Sequence, residues 1–78
     1  MKLIDNLKTR IVNEQQNLTE RLGRLQWLER LWDERVTRLL ADYPAHAGDC
    51  AWHRDAARDQ ARVVAQKLVA CEMALARL

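Results

Sequence analysis

The chain has 78 residues, of which 49% are hydrophobic and 31% charged, with two Gly, one Pro and no Phe. This balance argues against disorder and against a β fold rich in turns, so helix is the expected class. Thirteen Lys and Arg against eleven Asp and Glu give a net charge of +2, too balanced for a protein that mainly coats nucleic acid. A chain this short buries only roughly 60% of its unfolded surface, so one copy alone is expected to be marginally stable.

The first half of the chain has the pattern of one long helix. Between Leu3 and Asp42 there is no Pro and only one Gly, Gly23, which we expect to allow a close approach of another backbone. Apolar residues recur at intervals of seven, the spacing of a coiled-coil seam. They are Ile4, Ile11, Leu18, Leu25, Trp32 and Leu39. The polar stretch at 14–16 is either a solvated surface or a polar layer that fixes the register of packed helices.

A turn and a second helix follow. Residues 43–49 contain Pro44 and the second Gly, and Asp49 is a good N-cap for a helix over about 50–78. Apolar residues of that segment alternate at spacings of four and three: Ala57, Ala61, Val64, Leu68, Cys71, Leu75 and Leu78. Residues 1–40 hold nine Leu and no Ala, whereas residues 41–78 hold eleven Ala and three Leu. Large side chains facing small ones predict a single all-α domain over 1–78, an antiparallel two-helix hairpin.

The helix lengths predict an unpaired end. A first helix over about 3–42 outruns a second over about 50–78 by roughly a dozen residues at 1.5 Å each. Five apolar side chains are then left without a partner helix, and we expect a second copy to cover them, giving a four-helix or V-shaped homodimer. These are Leu3, Ile4, Leu7, Ile11 and Val12. One alternative is that a different protein covers them, and another is that the first dozen residues fray or fold back as a separate short helix, with a break near residues 13–17.

Arginine and tryptophan supply the candidate partner contacts. The hairpin alignment brings together five arginines that could meet an acidic protein or phosphates, although neighbouring carboxylates favour a solvated face with ion pairs. They are Arg35, Arg38, Arg54, Arg58 and Arg62. Trp27 and Trp52 lie off the apolar seam, and tryptophan is enriched at interface hot spots. Contact with a partner protein is therefore expected at both.

No catalytic, cofactor-binding or metal motif is present. His46, Asp49, Cys50 and His53 lie close together in sequence, but their spacing does not match a paired metal-binding motif, and a two-helix hairpin offers no walled pocket for catalysis. Cys50 and Cys71 on one helix would be roughly 31 Å apart, beyond disulfide reach. MKLI reaches Asp5 too soon for a signal peptide, and no apolar run of about 18 residues exists, so a cytoplasmic protein without a membrane span is expected.

The whole chain, from MKLIDNLKTRIV through YPAHAGD to VVAQKLVACEMALARL, resembles the small helical accessory proteins of broad-host-range plasmids, the Kle type in particular. The resemblance lies in length, in the use of Arg, Ala, Leu and Trp, and in the single hairpin. It implies a dimeric, non-enzymatic protein that contacts other proteins and supports stable plasmid inheritance. Two alternatives stay open: a nucleic-acid-associated regulator that uses the arginine face, and a small secretion chaperone or phage inhibitor of a host protein.

Overall fold

Two long helices joined by a three-residue turn make up the computed structural model, which describes residues 2–78. Helix α1 spans Lys2–Asp42 and helix α2 spans Ala47–Arg77, and a single 3₁₀ turn, Pro44–His46, connects them. The hairpin measures 62 × 14 × 13 Å. The predicted all-α hairpin is thereby confirmed. Helix α1 is continuous, so the alternative of a separate short helix at its start is wrong.

The turn is tighter than the sequence predicted. Tyr43 leaves the helical region, with φ −141° and ψ 71°, because the ring of Pro44 disfavours a helical conformation at the preceding residue. The amide of His46 donates to the carbonyl oxygen of Tyr43 at 3.0 Å, and α2 begins directly afterwards at Ala47 instead of near residue 50. Asp49 therefore lies in the first turn of α2 rather than at its N-cap. In the first turn its carboxylate is close to the positive end of the helix dipole.

The core lies along the middle of the hairpin, where large residues of α1 meet small residues of α2. Leu18 and Leu25 pack against Ala61 and Val64, and Val64 is only 2% exposed. Around this cluster lie the half-buried side chains of Leu22, Leu68 and Cys71. Nearer the turn the buried residues are Val36, Ala47 and Ala57. The short side chains of α2 let the helices approach closely with a filled interior.

Two features of α1, Gly23 and the polar stretch at 14–16, differ from what the sequence predicted. A Cβ built on Gly23 would meet nothing within 4 Å, so Gly23 faces open space and the predicted close approach is wrong. The polar stretch at 14–16 does not form a buried layer. Glu14 and Gln16 are exposed and Gln15 is half-buried, and no polar or charged side chain is buried among residues 2–78.

Candidate interaction surfaces

Two ion pairs between the helices show their register. Arg54 Nη1 lies 3.0 Å from Asp33 Oδ1, and Arg58 Nε lies 2.8 Å from Glu29 Oε1. Continuing this antiparallel register along both helices places Arg77, the last residue of α2, level with about residue 10 of α1. The unpaired end of α1 is therefore shorter than the predicted dozen residues, because α2 starts earlier and extends further along α1.

The predicted dimer interface divides into an unpaired and a paired part. Leu3, Ile4 and Leu7 lie beyond the level of Arg77 and are 81%, 41% and 43% exposed, and Leu7 also borders the groove that Ile11 lines. Ile11, in contrast, is half-buried and lines a groove together with residues of α2, Ala70, Cys71 and Ala74 among them. The expectation that nothing lies opposite Ile11 is therefore wrong. We call Leu3, Ile4 and Leu7 the apolar tip.

Val12 also lies outside the apolar tip. It is 38% exposed and borders a shallow depression on α1 with Gln15, Gln16, Thr19 and Glu20. Its neighbours there are polar, and its position along α1 is already within the range that α2 reaches. The apolar surface at the unpaired end of α1 is thus more compact than the sequence predicted and covers the first two turns of that helix.

The guanidinium groups of Arg54 and Arg58 form ion pairs with carboxylates. Arg54 also contacts Asp55 Oδ1 through its Nε at 3.1 Å, so one guanidinium joins Asp33 and Asp55. The hydrogen bond that Arg54 donates to the Asp33 carboxylate is the main cause of the raised pKa of Arg54, and the hydrogen bond that Arg58 donates to the Glu29 carboxylate is the main cause of the raised pKa of Arg58. Both guanidinium groups therefore pair with carboxylates of α1 and do not form a free basic surface.

The predicted five-arginine patch is split between two flanks of the hairpin. Arg58 pairs with Glu29 on one flank, and Arg62 lies one turn further along the same side of α2. Arg35 and Arg38 lie on a different side of α1, at least 120° around the helix from Glu29 at about 100° per residue. The guanidinium of Arg35 sits 4.8 Å from the ring centroid of Trp32. The patch of Arg35, Arg38, Arg54, Arg58 and Arg62 is therefore not formed as one surface.

Sequence reasoning missed a different arrangement of cations, which the spacing within α1 could have indicated. Arg10, Arg21, Arg24, Arg35 and Arg38 follow one another at intervals of 11, 3, 11 and 3 residues. Since 11 residues make close to three helical turns, these five side chains share one flank of α1. All five are exposed.

The tryptophans near the turn belong to a small cluster of rings. The rings of Trp32 and His53 are stacked, with centroids 4.5 Å apart, and Trp52 meets His53 edge-on at 5.1 Å. Trp32 is half-buried, whereas Trp52 is 67% exposed and Trp27, away from the cluster, is 56% exposed. Trp27 and Trp52 thus offer large free apolar surfaces, and their role as partner contacts stays a prediction.

The titratable side chains around the turn do not converge. His53 is engaged with the two tryptophans, and His46 lies beside Tyr43, with ring centroids 6.4 Å apart. Among residues 2–78, no three His, Cys, Asp or Glu side chains come together in a way that could hold a metal ion. Cys50 and Cys71 are both half-buried free thiols on α2.

Within the part of the chain that the structure describes, no helix is apolar over a long enough stretch to cross a bilayer. Comparison with protein-family models, with characterised proteins and with solved structures gives no significant match.

Proposed function

We propose that this protein is a non-enzymatic, cytoplasmic homodimer that serves as a scaffold for protein–protein interaction. The observation that supports the proposal is the apolar tip, where Leu3, Ile4 and Leu7 project beyond the end of α2. Burying the exposed part of these side chains against a second tip removes apolar surface from water and so favours association. The exposed rings of Trp27 and Trp52 and the remaining helix flanks are then free for other proteins.

The resemblance to Kle-type proteins supports a role for such a scaffold in stable plasmid inheritance. This part of the proposal rests on the sequence features given above. Its measurement is the loss rate of a low-copy plasmid, per generation and without selection, with and without a functional copy of this gene.

The dimer is tested by replacing part of the apolar tip with charge. We expect the wild-type protein to sediment at twice the chain mass of 9.1 kDa, and Leu3→Asp with Leu7→Asp to sediment at the single-chain mass. Both side chains lie outside the core of the hairpin, so the helical circular dichroism of the variant should be retained. The measurement is sedimentation equilibrium over a range of concentrations.

A matched control carries the same charge change elsewhere on the surface. Leu40 and Val69 are 58% and 53% exposed and lie away from the tip, so Leu40→Asp with Val69→Asp should remain dimeric. A wild-type protein of single-chain mass would contradict the proposal. So would a tip variant that keeps the double mass.

A further inference from the structure

One flank of the hairpin carries six exposed cations. Five of them lie on α1 within roughly 100° of arc, and the sixth, on α2, lines the same groove as Arg21. They are Arg10, Arg21, Arg24, Arg35, Arg38 and Lys67. Among the residues described, none of the six forms a salt bridge, in contrast to Arg54 and Arg58. We call this surface the basic flank.

The groove between the helices on this flank has an apolar floor. Beside Arg21 and Lys67 the floor is formed by Val63, which is 50% exposed, and by the buried Val64. Closer to the open end, Arg10 borders a second depression whose apolar lining is Leu7, Ile11, Ala70, Cys71 and Ala74.

The two depressions lie on the same side of α2. On α2 their lining residues follow one another at spacings of three and four, which keeps them on one side of the helix: Gln60, Val63, Lys67, Ala70 and Ala74. The small side chains of Ala70 and Ala74 leave room for another backbone to come close. The groove therefore has the shape and the lining that a third helix requires.

We propose that the basic flank binds an amphipathic helix of a partner protein, with apolar residues on one face and acidic residues beside them. A helix in a groove places its apolar face on an apolar floor, and acidic residues on either side of that face would meet the cations of the rim. Three cations, Arg10, Arg21 and Lys67, and two carboxylates, Glu14 and Asp59, line the two depressions, so the cations outnumber the carboxylates there. The inference rests on the proposed function as a scaffold and names the chemistry of the partner.

The other candidate occupants fit the flank less well. The same flank of a second copy would bring two sets of these cations face to face, which is unfavourable, so the dimer contact belongs at the apolar tip. A nucleic acid duplex could place phosphates on the cations, but phosphate contacts would leave the apolar floor at Val63, Ala70 and Ala74 unused.

The test uses a synthetic helical peptide as the probe. It has about 21 residues, roughly 30 Å in length, with Leu along one face, Glu on both sides of that face and a fluorescent label. Its control is an isomer of identical composition in which Leu and Glu are distributed evenly around the helix. Fluorescence anisotropy with the full-length protein at physiological salt should show saturable binding of the amphipathic peptide, at least about tenfold tighter than that of the isomer.

Variants of the protein locate the binding site. Arg21→Glu with Lys67→Glu reverses two charges that line the groove and should weaken peptide binding about tenfold or more. Arg30→Glu with Arg62→Glu makes the same change in net charge at exposed positions outside the flank, and should change the affinity by less than about threefold. Circular dichroism checks that both variants remain helical.

Each contrary outcome overturns the inference. The inference is wrong if the protein does not bind the peptide or binds the two isomers equally. It is also wrong if the two pairs of substitutions change the affinity equally. Preferential binding of a labelled DNA duplex of about 20 base pairs, with affinity that falls steeply with salt, would assign the flank to nucleic acid instead. Sedimentation of the peptide-free protein separates this test from the proposed function. If the protein is a dimer and does not bind the peptide, only the proposed partner helix is refuted. If it is a monomer and binds the peptide, only the proposed dimer is refuted.

Discussion

Arg58 shows how the role of a single residue depends on its cross-helix neighbours. From the sequence it belongs to a row of arginines suited to phosphate or to an acidic protein. In the hairpin its Nε lies 2.8 Å from Glu29 Oε1, and its Nη1 lies 3.9 Å from Asp55 Oδ1. Its partners in space are thus Asp55, which interrupts the row in sequence, and Glu29 on the other helix. Arg58 consequently stabilises the contact between the helices, and reversal of its charge is a test of the fold.

We predict that Arg58→Glu lowers the melting temperature, because the new carboxylate would face Glu29 and Asp55. Glu29→Arg in the same chain should recover part of the loss by restoring an opposite pair across the helices. Thermal unfolding followed by circular dichroism measures both variants. Equal melting of Arg58→Glu and wild type would show that the ion pair makes no contribution, as is found for many exposed pairs.

At the scale of the helices, Gly23 is the one interruption in the middle of α1. Because a Cβ there would meet no atom within 4 Å, only the helix propensity of the residue matters. We predict that Gly23→Ala stabilises the protein by about 1 kcal/mol. This corresponds to a rise in melting temperature of about 4 to 8 °C for a domain of this size.

A larger substitution distinguishes open space from a hidden contact. Gly23→Leu should fold as well as the wild type, since the added side chain points away from the core. If both substitutions lowered the stability, another backbone would have to approach α1 at this position, contrary to the structure.

Helix class and core face were predictable from periodicity, whereas axial register was not. The seven-residue recurrence identified Leu18 and Leu25, and the four-and-three spacing identified Ala61 and Val64, all of which are buried. Periodicity states which side of a helix is apolar but not how far one helix slides along the other. That offset is set by the conformation of the turn.

The turn begins α2 at Ala47, and this small difference changed the predicted functional surfaces. It brought α2 alongside Ile11 and shortened the unpaired end to the apolar tip. The basic flank was within reach of the sequence, because its intervals of 11 and 3 residues are visible in α1. Its apolar floor was not, because Val63, Ala70 and Ala74 only meet those arginines once the register is known.

The whole molecule is a rod whose two ends and one flank carry different kinds of side chain. One end carries the apolar tip, the other carries the exposed Trp52 beside the turn, and the basic flank runs between them. Association through the tip would leave the turn accessible in each copy, together with the basic flank beyond Leu7, which borders both surfaces. A dimer of this kind presents two copies of each surface, which raises the effective affinity for a partner that has two matching sites.

The most direct test of association through the tip is an interprotomer distance. A spin label at Asn6→Cys, in a chain with Cys50→Ser and Cys71→Ser, reports on the open end in pulsed electron double resonance. A matched label at Ala45→Cys reports on the turn, at the opposite end of a rod 62 Å long.

Association through the tips predicts a short distance, below about 25 Å, between the two labels at residue 6, since these positions would be separated by no more than about two helix diameters. The labels at residue 45 should then be far apart, toward the limit set by two rods of this length. A short distance at residue 45, or no dipolar coupling between the labels at residue 6, would contradict the account.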